Sequence, residues 1–161
     1  MAIYNHEILY ATSTFDTEPV TLENRQGWLA EHRSPRHPAL VAELAPADRE
    51  GPDSSPGLAV GGFGTLSSWS QRCAYARAAE VSVYVHRDAR RRGVGRAILG
   101  QLIARARDAG LGVLLARICA EGQASIALHR SFGFQPIGTM RRVGEKFGRI
   151  LDIELFDLQL D

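Results

Sequence analysis

Residues 80–99 read EVSVYVHRDARRRGVGRAIL, and three features follow one another there without a gap. Residues 80–86 alternate and are rich in β-branched side chains, which predicts a strand. Four arginines, Arg90, Arg91, Arg92 and Arg96, then crowd around Gly93 and Gly95. Beyond them Val94, Ile98, Leu102 and Ala106 step by four, and Leu99 and Ile103 fill the same face. Arg96, Gln101, Arg105 and Arg107 lie elsewhere around the turn, so this is an amphipathic helix that Gly110 and Gly112 end. A helix that starts directly out of a strand offers unpaired N–H groups and its positive dipole end. Glycines let an anion reach those groups, and arginines add charge at the rim. The junction therefore suits a pyrophosphate. It is not a P-loop, which needs a closing Gly-Lys-Ser/Thr, nor a Rossmann fingerprint, whose third glycine is missing after Gly95. A solvated basic helix start without a ligand is the plain alternative.

The arginine cluster is a local feature. The 161 residues are 45% hydrophobic and 23% charged, with a formal net charge of only +1. A nucleic-acid-binding domain would carry a larger basic excess, so no nucleic-acid partner is expected. The length suits a single domain over residues 1–161. Cys73 and Cys119 match neither a zinc spacing nor a disulfide-rich scaffold, and no metal site is expected; both read as free thiols. No apolar run is long enough to span a bilayer and no signal-peptide pattern opens the chain, so a cytoplasmic protein without a membrane partner is expected.

The remaining segments set the architecture. Residues 3–11 read as the end of a helix, and TSTFDTEP (12–19) as a polar loop. Thr21 is a plausible N-cap for an amphipathic helix over 22–32 carrying Trp28 and Leu29. PALVAELA (38–45) is a strand, and PADREGPDSSPG (46–57) a polar, mobile hairpin loop. GLAVGGFGTLSSW (57–69) reads as a strand whose glycines admit another group close to the backbone. VLLARIC (113–119) is a buried strand, and SIALHRSFGF a short helix stopped at Gly133. FQPIGTM (134–140) and RILDIELFDLQL (149–160) are strands. This order predicts a mixed α/β (α+β) fold: a largely antiparallel sheet flanked by helices, with one parallel β-α-β crossover at its centre.

These residues also carry a family resemblance. RRRGVGRAIL resembles the R-x-x-G-x-G/A acyl-CoA signature of the GNAT N-acetyltransferases. YNHEILYATSTFDTEPVTLENRQGWL, EVSVYVHRDARRRGVG, ASIALHRSFGF and GTMRRVGEKFGRILDIEL together resemble the phosphinothricin/methionine sulfoximine acetyltransferase branch, over nearly the whole chain. The resemblance implies the GNAT acyl-CoA N-acyltransferase fold, splayed open between its two central parallel strands, with acetyl-CoA as acetyl donor in the splay. Pantetheine amides would pair with the backbone of Val83, Tyr84 and Val85, and the Val85 N–H would stabilise the oxyanion. The pyrophosphate would rest on the backbone of Arg91, Arg92, Gly93, Val94, Gly95 and Arg96.

The same resemblance implies roles for side chains. Glu80 becomes the general base, acting through water on the amino group of a small amino acid or analogue of the phosphinothricin or methionine sulfoximine/sulfone type. A surface carboxylate at a strand start is its plain alternative. His129 stands where many GNAT enzymes carry a tyrosine that protonates the leaving thiolate. Gly122 stands at the position of a cofactor-contacting asparagine, with Gln123 next door as a substitute. The amine pocket would draw on Phe15, Trp69, Arg72, Tyr75, Val81 and Ser82, with Val81 making it less polar beside Glu80. Arg72 would meet a substrate carboxylate, whereas Arg77 reads as surface. Lys146 and Phe147 would face the pocket or the partner of a homodimer. The family's first strand, which would precede the opening helix, is not in the sequence. That feature and Gly122 motivate the alternative of a non-catalytic CoA-binding regulatory module.

Overall fold

The computed structural model describes residues 1–44 and 59–160. The elements run in the order α1 (Ala2–Tyr10), α2 (Leu22–Glu31), β1 (Ala39–Leu44), β2 (Ala59–Ser68), β3 (Ala78–Val85), α3 (Val94–Asp108), β4 (Val113–Cys119), α4 (Gln123–Ser131), β5 (Gln135–Lys146) and β6 (Arg149–Gln159). The strands form one six-stranded sheet in the order β1-β2-β3-β4-β6-β5. Every neighbouring pair is antiparallel except β3 and β4, which α3 connects as the expected crossover. The polar stretch 46–57, expected as a hairpin loop, lies outside the described residues, although the strands on either side pair antiparallel, Leu44 opposite Ala59.

α3 supplies the centre of the core. Val94, Ile98, Leu99, Leu102, Ile103 and Ala106 are all buried, as the four-residue stepping predicts. They pack with Leu66, Val81, Leu114, Ala116, Ile118 and Phe156. The glycines of β2 explain how the helix sits so low. A Cβ at Gly62 would stand 3.0 Å from Ile98 Cδ1 and 3.1 Å from Val94 Cγ1. The group that approaches the glycine-rich strand is therefore α3.

α2 departs from its expected amphipathic role. Thr21 caps it, its hydroxyl accepting from the Asn24 N–H at 3.2 Å. No residue of the helix is buried, and Leu22 and Leu29 are 62% and 48% exposed. Its inward contacts are Trp28, which meets Phe63 edge-on, and Arg25, whose guanidinium lies 3.6 Å from the centre of the Trp28 ring. Strand β5 likewise runs past the expected FQPIGTM as far as Lys146, because a bulge between Met140 and Gly144 absorbs Arg142 at φ 55. Its hairpin to β6 turns through Phe147 and Gly148, both at positive φ, the geometry of a type I′ turn.

Lys146, the only lysine, faces neither a pocket nor a partner. It is 3% exposed, and its Nζ donates to the carbonyls of Glu7, Ala11 and Thr14 at 3.3, 2.7 and 2.7 Å. It ties the end of β5 to the last turn of α1 and the loop that follows; the Glu7 carbonyl also accepts from the Ala11 N–H at 3.1 Å. Burial pulls its pKa below the usual lysine value. Phe147, next to it, is 55% exposed. Both cysteines are free, Cys73 exposed and Cys119 buried.

Candidate active site at the splay of the sheet

The two central strands pair only at their first residues: Ala78 with Val113, Ala79 with Leu114, Glu80 with Leu115. β3 then continues to Val85 bonded to β2 alone, while β4 continues to Cys119 bonded to β6 alone. The sheet opens at Glu80. The hydrogen-bond phase says which backbone groups face the opening. Trp69 N–H donates to Ala78 O and His86 N–H to Gly61 O, so the even-numbered residues of β3 bond to β2. Val83 and Val85 therefore turn their N–H and C=O groups toward the gap.

Below the gap, a turn over residues 90–93 leads into α3. Arg91 at φ 64 and Gly93 at φ 81 are left-handed, a conformation that costs a non-glycine residue about 1 kcal/mol or more. The first free N–H groups of α3 open onto this turn. A Cβ at Gly95 would lie 3.3 Å from both Val85 Cγ2 and Leu128 Cδ2, so glycine there lets β3, α3 and α4 converge. The arginines divide their work. Arg90 turns inward, its Nη2 on Glu7 Oε1 at 2.5 Å and its Nε on Val85 O at 3.4 Å. Glu7 is buried, and Ser13 also donates to it, so this pair anchors the turn to α1. Arg96 crosses to α4, with Ser131 Oγ at 3.4 Å and the Phe132 ring below its guanidinium. Arg91 and Arg92 are exposed at the rim.

The strand's alternation sorts the remaining residues. Val81, 4% exposed, belongs to the core beneath α3. Its side chain points to the opposite face from Glu80, which corrects the expectation that it makes the acceptor site apolar. Glu80, Ser82 and Tyr84 share the other face. There Tyr84 stacks on Phe63 at 5.1 Å and meets the Tyr4 ring edge-on at 5.1 Å. Burial pushes both phenols above the usual tyrosine value. The Tyr4 hydroxyl donates to Asp16 Oδ2 at 2.8 Å, and the Arg25 guanidinium lies 5.0 Å from the centre of the Tyr4 ring.

The partner of Glu80, Arg117 on β4, escaped the sequence reading. Its Nε donates to Glu80 Oε1 at 2.7 Å and its Nη2 to Glu80 Oε2 at 2.5 Å. The guanidinium also lies 5.5 Å from the centre of the Trp69 ring. Glu80 and Arg117 are 37 residues apart, and only the parallel register brings them to one face. A lone arginine inside VLLARIC, breaking an apolar run, was the signal available.

Other expected residues stand elsewhere. Arg72 and Tyr75 are exposed on a short turn of 3₁₀ helix after Trp69, and no contact joins either to Glu80 among the described residues. Phe15 packs against Gly144 of β5, where a Cβ would overlap its ring. Arg77 lies across Gly112, at the paired end of the central strands, in keeping with its reading as a surface arginine. Gly122 sits at the N-cap of α4, where a Cβ would come within 3.0 Å of the Cys119 carbonyl. Gln123 commits its amide nitrogen to the Ala120 carbonyl at 2.8 Å and is not placed as a stand-in for the asparagine.

His129 requires a correction. It is 3% exposed, its Nδ1–H donates to the Ser125 carbonyl at 2.8 Å, and its ring meets Phe134 edge-on. Nε2 is buried without a partner among the described residues. Burial lowers the pKa below the ordinary histidine value. A neutral imidazole whose free nitrogen has no accessible surface cannot hand a proton to a thiolate. The residue is a packing element of α4.

The geometry of gap and turn is shared with known proteins. The model of the Acetyltransferase (GNAT) family matches residues 1–134. The chain belongs to the GNAT family of acetyltransferases. It is 37% identical over 159 residues to the L-amino acid N-acyltransferase MnaT of Escherichia coli, covering 99% of this chain and 86% of that protein. It is 38% identical over 161 residues to the L-methionine sulfoximine/L-methionine sulfone acetyltransferase of Pseudomonas paraeruginosa, covering 100% and 87%. Among solved structures, yncA of Salmonella typhimurium with its cofactor acetyl-CoA superposes with a TM-score of 0.88 at 35% identity, over 99% of this chain and 86% of that one. Within the family the chain is related to the phosphinothricin and methionine sulfoximine acetyltransferases. It is an acetyltransferase that uses acetyl-CoA as acyl donor. The residues fit that donor: free backbone amides in the gap, and a turn with left-handed residues and free helix N–H groups for an anion. Among the described residues, no helix is long and apolar enough to cross a membrane.

Proposed function

We propose that this acetyltransferase acetylates the α-amino group of a small amino acid or analogue, of the methionine sulfoximine, methionine sulfone or phosphinothricin type. The observation that carries the reading is the Glu80 carboxylate at the last paired rung of β3 and β4, beside the opening. The names of the relatives supply the acceptor class. Acetyl-CoA supplies the activated acetyl thioester. Glu80, through a water, takes the proton that the acceptor's ammonium must lose before its nitrogen can attack. The N–H of Val85, turned into the gap, receives the charge that develops on the carbonyl oxygen. The turn from Arg91 to Arg96 holds the pyrophosphate on its backbone, with Arg91 and Arg92 at the rim. The C–N bond forms first; the adduct then collapses with cleavage of the C–S bond, and the nitrogen's second proton goes to the departing thiolate or, through water, to solvent.

A panel of amines with acetyl-CoA, followed by release of free thiol, tests this. Methionine sulfone, methionine sulfoximine and phosphinothricin are expected to give thiol release well above the acceptor-free rate. No release with any amine would leave a CoA-binding module without catalysis and overturn the proposal.

The protein is further proposed to work as a cytoplasmic homodimer. Ile137, Val143, Phe147 and Ile150 are 55%, 47%, 55% and 46% exposed along the β5–β6 hairpin, an apolar surface that a second copy would cover. Light scattering at twice the mass of one chain supports this, and a monomer peak removes it.

A further inference from the structure

The Glu80–Arg117 pair uses only part of the guanidinium. Arginine has five N–H donors in a planar fork. The Nε and Nη2 side holds the two oxygens of Glu80. Among the described residues, Nη1 has no partner, and the Arg117 side chain is 51% exposed while Glu80 is 17% exposed. The carboxylate is thus sheltered, and the cation that holds it is open. Trp69 lies beneath the guanidinium and limits its swing. The two charges of the pair offset one another, so what Arg117 offers an approaching acid group is its open edge of N–H donors beside a carboxylate already held on the other edge.

We propose that Arg117 is a specificity residue of the acceptor site, holding Glu80 on one edge and receiving an anionic group of the acceptor on the other. This rests on the acceptor reading given above. One planar cation then sets the distance between the acceptor's acid group and the base that takes the proton from its amine. Amines that carry a carboxylate or a comparable acid group are selected over amines that lack one. A lysine could not do both, since it is a point charge without a second edge.

The test compares L-methionine sulfone with its carboxamide, which keeps the amine and loses the charge. Wild type is expected to prefer the acid in kcat/KM by about ten- to a hundredfold, the worth of a charge-assisted hydrogen-bonded pair. Arg117→Met should abolish that preference by raising KM for the acid alone. It should also lower kcat for both compounds by one common factor, because Glu80 loses its support. Arg117→Lys should restore part of kcat and only a small part of the preference. An acid-over-amide ratio unchanged in both variants overturns the proposal, as does an equal rise of KM for both compounds. Wild type that acetylates neither compound overturns the acceptor reading itself, and this inference with it. Unchanged acetyl-CoA affinity in the two variants separates these outcomes from misfolding.

Discussion

The eight residues of β3 divide between two faces that do opposite work. On one face Val81, Val83 and Val85 lie under α3, where Val94, Ile98 and Leu102 cover them and Gly62 and Gly64 make room. On the other, Glu80, Ser82 and Tyr84 look out on Arg117, Trp69, Phe63 and Tyr4. The first face is closed by area and shape, the second by a few directed contacts. Changes on the α3 face should therefore move stability and leave acceptor chemistry alone, and changes on the Glu80 face should do the reverse.

Leu102→Ala gives the largest expected effect on stability. It removes a fully buried side chain from the centre of α3 and should cost about 2–5 kcal/mol in chemical denaturation. The KM for the amine should hold while the protein is folded; a large rise in KM would break the division between the faces. Lys146→Met comes next. It strips three backbone carbonyls of a buried charged donor and should cost about 2–3 kcal/mol, measured the same way. An effect on acceptor KM with no loss of stability would return Lys146 to the pocket.

The smallest effect is one of pH. Burial depresses the pKa of His129 in the fold below its ordinary value of about 6.5. The unfolded chain then binds more protons between the two values, so stability rises with pH through that window and is lost as pH falls below about 6.5. His37 is shifted in the same direction by burial and by Arg36, so the slope is shared. His129→Gln should flatten part of the fall in unfolding midpoint from about pH 7 to about pH 5, and an unchanged slope would mean that the imidazole is not buried neutral. Activity at pH 7 should survive this change, in contrast to a role in protonating the thiolate.

How much of this was legible depends on how far each contact reaches along the chain. The α3 face is a local pattern: its stepping by four, the end at Gly110 and the glycine-rich approach of β2 all sit in short windows of sequence. The crossover followed from strand, turn and helix in sequence. The Glu80 face is assembled from distant pieces. Arg117 reaches Glu80 only because two parallel strands share a register, and no period in the sequence reports that. The place of Lys146 is hidden for the same reason: its acceptors are carbonyls of residues 7, 11 and 14, and backbone acceptors leave no mark on side-chain identity. The resemblance gives His129 a role, but its enclosure comes from burial and packing against Phe134, which no pattern in the sequence reports. The four arginines of the cluster lie close together in sequence, and nothing in their spacing tells them apart. In the fold Arg90 is held by Glu7 of α1 and Arg96 by Ser131 of α4, while Arg91 and Arg92 stand exposed beside the turn.

The most direct measurement is the rate of Glu80→Gln against wild type at saturating acetyl-CoA, with the best amine of the panel. The substitution keeps the size of the side chain and one acceptor for Arg117, so the fold and donor binding should be retained. The expected result is a fall in kcat of about 10²–10⁴-fold, the usual contribution of a general base, with unchanged acetyl-CoA affinity. A variant that acetylates the amine as fast as wild type would contradict the account at its centre.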